Sequence, residues 1–235
     1  MELFYCKNIN KPFFELPETE AHHVLQVLRY KVGDKLKVTN GIGNIFDCKI
    51  NEASKKKCVL EIINEQNLPI AHHQITLAIA PTKSRERMEW CLEKATEIGV
   101  QKIQFIQTAY SEKWKVTNDR FEKVLIAAMK QSAQVWLPEL LPIINFENWI
   151  KQTDNAAQKL ICHNLNVTSA QLINVAKKYQ HTIIAIGPEG GFSEHEIVSA
   201  TKNNFECVLL GNTRLRTETA AITALSVLQQ INLLN

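Results

Sequence analysis

Two short stretches near the C-terminus hold the residue types that can do chemistry. In the first, Ile186-Gly-Pro-Glu-Gly-Gly-Phe-Ser193, three glycines and a proline let the backbone turn sharply and lie within contact distance of a flat ligand. In the second, Leu209-Leu-Gly-Asn-Thr-Arg-Leu-Arg-Thr-Glu-Thr-Ala220, Arg214 and Arg216 flank Leu215 and run straight into Thr217-Glu218-Thr219 at a helix start. Arginines there add charge to the positive end of a helix dipole, at a cost of up to about 1 kcal/mol on a surface. Either Glu218 answers that charge or an anionic, electron-rich ligand does. The glycine spacing is neither the dinucleotide G-x-G-x-x-G nor a phosphate loop, and a plain strand-to-helix turn accounts for it as well.

Basic residues with nearby aromatics recur at Arg29-Tyr30-Lys31, Lys83-Ser-Arg-Glu-Arg87 and Tyr110-Ser-Glu-Lys-Trp-Lys115. Each alone reads as a solvated face, but jointly they suit phosphates and stacked bases, which points to RNA. The net charge of +3 permits such a partner without arguing for it. His22-His23 and His72-His73 are adjacent pairs with no H-E-x-x-H or Cys/His cluster beside them, so no metal is expected. Cys6, Cys48, Cys58, Cys91, Cys162 and Cys207 form no C-x-x-C pair and read as reduced packing residues.

The elements that must position these residues follow from periodicity. Residues 17–28 carry Ala21, Val24, Leu25 and Leu28 at helical spacing. Residues 35–39, 44–50 and 59–63 read as strands, the first two joined by the hairpin signal Asn40-Gly41, so residues 1–70 read as a small barrel. From Gln74 onward strands (75–80, 102–108, 160–163, 182–187, 206–211) alternate with helices (85–98, 119–133, 170–179, 194–203, 218–234), the pattern of a covered parallel sheet. Ser84 and Gly99 suit the ends of the first of these helices, and Ser193-Glu-His-Glu196 is a capping box. Both loops of interest end a buried strand and open a helix, where open α/β sheets place ligands. The last helix is apolar nearly all round, which suits a second buried side such as a subunit interface.

The length of 235 residues suits two unequal domains, and 45% hydrophobic with 22% charged residues is ordinary globular usage. No apolar run approaches the roughly 18 residues of a membrane span, and Glu2 stands where a signal peptide would be basic, so a cytoplasmic protein is expected.

Further stretches extend the pattern: His22-His-Val-Leu-Gln-Val-Leu-Arg29 with Gly33-Asp34, Lys83 to Trp90 leading into Lys94-Ala-Thr-Glu-Ile-Gly99, and Gln131-Ser132 with Pro138. With the two glycine loops, the whole chain resembles the bacterial small-subunit ribosomal RNA uridine-N3 methyltransferases, of the knotted SPOUT class. The resemblance implies an α/β fold: a trefoil-knotted methyltransferase domain over residues 71–235, preceded by a PUA-like RNA-binding barrel over residues 1–70. It also implies S-adenosylmethionine as cofactor, small-subunit (16S) ribosomal RNA in the assembled subunit as partner, and a homodimer. Connection rules alone make knots essentially absent, so the pattern by itself reads as an ordinary doubly wound sheet.

On this resemblance Gly187, Pro188, Gly190, Leu210, Gly211, Leu215 and Thr217 hold the cofactor. Arg216 stabilises charge developing on the uracil carbonyls, and Glu218, with Glu189 second, takes the proton. His22, His23, Arg29, Lys83, Arg85 and Arg87 are the RNA-binding candidates. The family's arginine in the loop at residues 108–112 has no counterpart among those residues, and Arg214 sits one residue later than the family's first arginine in the last loop. Rival expectations are a non-catalytic RNA-binding or ribosome-assembly factor and a knotted methyltransferase acting on another RNA.

Overall fold

Alternating apolar residues build the first sheet from β1 (Leu3–Tyr5), β2 (Phe13–Glu15), β3 (Lys35–Thr39), β4 (Asn44–Ala53) and β5 (Cys58–Asn67), in the order β1-β3-β4-β5-β2. Its neighbours are antiparallel except β1 with β3. The inward positions Phe4, Phe14, Leu36, Val38, Phe46, Cys48, Ile50, Cys58 and Leu60 meet in one core with Ala21 and Val24. The three-residue strands β1 and β2 are too short to leave a periodic signal. The computed structural model describes residues 2–54, 57–112, 118–163 and 169–233.

The helix expected over residues 17–28 divides into α1 (Glu18–His22) and a π-helical turn, His23–Val27, closed by the Leu28 N–H on the His23 carbonyl at 3.0 Å. Contacts divide the chain into two units, Met1–Ile70 with Ile126–Leu137, and Ala71–Leu125 with Pro138–Asn235. The later segment completes the first unit around the β3–β4 turn. Gly43, at φ +93°, leaves no room for a Cβ, which would lie 2.4 Å from the Trp136 ring. Trp136 donates its indole N–H to the Leu68 carbonyl at 3.1 Å, and the Leu137 N–H bonds to the Gly41 carbonyl at 2.8 Å.

The second unit carries β6 (Ile75–Ile79), β7 (Lys102–Gln107), β8 (Glu139–Asn145), β9 (Gln158–Cys162), β10 (Ala170–Gln171), β11 (Thr182–Ile186) and β12 (Glu206–Leu209). They form one sheet of order β10-β12-β9-β11-β6-β7-β8, parallel throughout. Every residue of β11 is buried, which explains its unbroken apolar run. β8 was not among the expected strands; it contains Pro142 and lies at the sheet edge, where a missing N–H is tolerated.

The helices of this unit are α2 (Arg85–Ile98), α3 (Asn118–Gln131), α4 (Phe146–Ile150), α5 (Leu172–Val175), α6 (Glu194–Lys202) and α7 (Thr217–Leu233), α3 running on into the first unit. Ser84 caps α2 by accepting the Arg87 N–H, and Gly99 ends it at φ +94°. The helix expected over residues 170–179 shrinks to α5 because side chains take its backbone groups. Gln158 accepts the Lys177 N–H at 2.9 Å and donates to the Val175 carbonyl at 2.7 Å, while Asn232 accepts the Tyr179 N–H at 2.7 Å. One face of α7 is buried through Ala221, Ala224, Leu225 and Leu228. No helix among the described residues is long and apolar enough to cross a membrane.

Candidate active site

The neighbouring strands β12, β9 and β11 end side by side, and a cavity of about 380 Å³ opens at their C-terminal ends. All seven residues expected to hold a cofactor line it: Gly187, Pro188, Gly190, Leu210, Gly211, Leu215 and Thr217. The loop after β11 is a tight turn closed by the Gly191 N–H on the Pro188 carbonyl at 2.8 Å. Thr217, buried at the start of α7, donates its hydroxyl to the Gly187 carbonyl at 3.1 Å and so joins the two loops.

Glycine is needed at two of these positions by space. A Cβ on Gly187 would lie 3.1 Å from the Phe192 ring and from the Gly191 carbonyl carbon, and one on Gly190 would lie 3.0 Å from the Tyr110 Cβ. Phe192 cannot retreat easily, because its ring packs against Phe146 at 5.3 Å between centroids. The capping box reaches beyond its own helix: Glu196 accepts the Ser193 N–H with one oxygen and the Ala109 N–H with the other, both at 2.8 Å. One carboxylate therefore holds the 108–112 loop and the start of α6 together.

The charged candidates divide. Arg214 lines the cavity and donates to the Glu189 carbonyl at 2.6 Å, bridging the two loops. Arg216 is exposed and is not on the lining; its carbonyl accepts the Ala220 N–H at 2.8 Å in the first turn of α7. Glu218 is buried and not on the lining, and it lies in an ion pair with Arg87 of α2 at 3.8 Å rather than with either arginine of its own loop. Arg87 is thus engaged by the protein itself. Lys83 faces Glu112 at 3.3 Å, Arg85 is exposed, and Trp90 stands 44% exposed on the same helix. Lys113 to Lys115, singled out in the sequence, lie outside the described residues.

In the first unit His22 and Arg29 are exposed, whereas His23 packs its ring edge against Phe4 and faces Glu2 at 3.6 Å. Among the described residues no group of three or more His, Cys, Asp or Glu side chains is arranged to hold a metal.

Cys162 and His163 also line the cavity and were not singled out by the sequence. Their signal was positional, since both follow from the C-terminal end of a parallel strand. Burial pushes the Cys162 thiol pKa upward and holds that of the His163 imidazole below its ordinary value, favouring the neutral form of each.

The chain thus combines a mostly antiparallel β unit with a unit whose parallel sheet carries a glycine-lined cavity, and both parts match RNA methyltransferase families. The RNA methyltransferase domain family matches residues 69–229, and the RNA methyltransferase PUA domain family matches residues 16–63. Ribosomal RNA small subunit methyltransferase E of Mesomycoplasma hyopneumoniae is 31% identical over 233 residues, covering 96% of this chain and 98% of that one. Its counterpart from Rickettsia conorii is 30% identical over 207 residues, covering 88% and 84%. Among solved structures, a probable rRNA-methyltransferase from Porphyromonas gingivalis has a TM-score of 0.94 at 38% identity, covering 99% of each chain. Ribosomal RNA small subunit methyltransferase E from Neisseria gonorrhoeae, bound to S-adenosyl methionine, has a TM-score of 0.88 at 26% identity, covering 98% and 97%. The chain belongs to the ribosomal RNA small subunit methyltransferase E family.

Proposed function

We propose that this protein methylates N3 of a uridine in small-subunit (16S) ribosomal RNA with S-adenosylmethionine bound in the cavity at the ends of β12, β9 and β11. The observation that carries the reading is the convergence of two glycine-bearing loops on one cavity in a chain of this family. The lining fits the cofactor. Backbone groups of Gly187, Leu210 and Gly211 together with Leu215 suit a flat heteroaromatic ring, and Arg214 is the one lining cation among the described residues. A neutral His163 spares a sulfonium further repulsion.

When bound, the cofactor supplies an activated methyl group on sulfur. The residues of the chain align uridine N3 in line with that methyl and deal with the proton N3 gives up. Alignment of this kind can supply several kcal/mol of a barrier. Arg216, exposed between the lining residues Leu215 and Thr217, stabilises the charge that grows on the uracil carbonyls as N3 is deprotonated. Of the two acidic candidates, Glu189 is on the cavity lining and takes the proton, while Glu218 anchors α7 through Arg87.

In this reading the first unit is the PUA-like RNA-binding domain, joined in gripping RNA by Lys83 and Arg85 of the catalytic domain. The methyltransferase domain is knotted, with the two loops as knot segments, and pairs with a second copy through α7, where Val227 and Ile231 on one flank of the buried stripe and Ile222 on the other remain partly exposed. Labelled S-adenosylmethionine incubated with small subunits lacking the modification, followed by nucleoside analysis, is the test. N3-methyluridine is expected; another methylated nucleoside moves the target, and none at all leaves a binding factor. Sedimentation tests the dimer.

A further inference from the structure

The first unit holds a second, open cleft of about 460 Å³, walled by Lys7 to Lys11 on one side and by Asn40, Ile42 and Asn44 on the other, with Phe46 and Glu65 completing it. Neither His22, His23 nor Arg29 lines it. The two turn asparagines are already committed on one side. Asn40 accepts the backbone N–H groups of Ile42 at 3.1 Å and Asn44 at 3.3 Å through its Oδ1. Asn44 accepts from the Asn67 side chain through its own Oδ1 at 2.6 Å. Two backbone donors fix the Asn40 amide, whose Nδ2 group is left to donate, and Asn44, accepting from the Asn67 amide, likewise keeps its Nδ2 group for a ligand. The cleft therefore presents oriented donors and is built for a ligand rich in acceptors.

The remaining walls narrow the class. Ile42 stands 63% exposed, an apolar surface beside fixed amides, and Phe46 is buried beneath. Lys7 is exposed with no carboxylate partner among the described residues, whereas Lys11 is paired with Glu65, which answers the one acidic side chain of the cleft. Amide donors, an apolar face and a free ammonium correspond to the base carbonyls, base face and phosphate of an unpaired nucleotide.

We propose that this cleft binds one nucleotide of single-stranded RNA, its base carbonyl taken by the Nδ2 groups of Asn40 and Asn44, its base face by Ile42 and its phosphate by Lys7. The proposal rests on the RNA-directed reading above and adds the place where the first unit holds unpaired RNA.

The test titrates a labelled uridine-rich single-stranded hexanucleotide into the full chain and its variants. Asn40→Asp and Asn44→Asp keep the accepting oxygens that shape the turn, remove the donating NH₂ and add a charge that repels phosphate; each weakens binding about tenfold. Lys7→Gln lowers affinity and reduces the salt slope by about 0.7, the contribution of one single-strand phosphate contact. Unchanged melting temperatures show that the turn survives. Binding unaltered in all three variants overturns the proposal, as does loss of binding in Arg29→Gln while Asn40→Asp binds normally. Methyl transfer to small subunits separates the two readings. Oligonucleotide binding with this variant pattern but no N3-methyluridine removes the catalytic reading and leaves the cleft. N3-methyluridine formed with an unmoved KM for subunits in Asn40→Asp and Lys7→Gln removes the cleft.

Discussion

The Nε of Arg87 lies 3.8 Å from Oε1 of Glu218, tying the first turn of α2 to the first turn of α7, two residues from Arg216. Glu218 is buried, so its partner matters more than that of a surface carboxylate. Arg87→Ala is expected to destabilise the fold by about 1–3 kcal/mol through the unpaired carboxylate. It should also lower turnover by shifting Arg216, with the salt slope of RNA binding unchanged. Thermal unfolding, kcat and a salt titration read these separately. A normal fold with a reduced salt slope would return Arg87 to gripping phosphate.

Gly187→Ala forces a methyl to within 3.1 Å of Phe192 and the Gly191 backbone. The loop that lines the cavity must then shift by tenths of an ångström. Cofactor affinity by calorimetry should drop at least about tenfold, equivalent to about 1.4 kcal/mol. Gly33→Ala is the contrast for bulk alone, since that glycine, in the first unit and at φ +98°, has nothing within 4 Å of the added carbon, and its cost should appear only in stability.

His163 is held below its ordinary pKa of 6.5 by burial. A depressed pKa means the neutral form is favoured in the folded state: its contribution to stability is present above 6.5 and is lost as pH falls. Cofactor affinity should therefore be flat above about pH 6.5 and decline in acid, where an imidazolium would face the sulfonium. His163→Gln should remove that decline. An identical acid limb in the variant assigns it to another group.

Burial raises the thiols of Cys48 and Cys91 to about 12 and that of Cys58 to about 11, from 9.0. Between those values the unfolded chain has released protons that the folded chain still holds, so stability is full below pH 9 and falls as pH rises beyond it. Urea unfolding at a series of alkaline pH values should show that fall, less steep in Cys91→Ala. In native protein at neutral pH these three thiols should resist alkylation.

Much of this site was legible in the chain because glycine, proline and helix-capping residues act locally. Ser193 and Glu196 announce the start of α6 whatever surrounds them, and the structure adds only that Glu196 also holds Ala109. What was not legible depends on distant partners. Gln158 cuts α5 short from another strand, and Glu218 is met by Arg87 across 131 positions of sequence rather than by its neighbour Arg216. Likewise His163 became visible only once β9 was seen to end between β12 and β11. The strand holding Pro142 is legible only once it is seen at the sheet edge, because proline argues against an interior strand but not an edge one.

The first unit borrows Ile126–Leu137 from far along the chain to seal the turn at Gly43. During synthesis, then, the N-terminal sheet leaves the ribosome with its seat for Trp136 vacant. At translation rates of about 5–20 residues per second that vacancy lasts for on the order of several seconds. The nascent sheet has to tolerate an unsealed β3–β4 turn and a Leu68 carbonyl without its indole donor for that interval, and a ribosome that pauses before Leu137 prolongs it.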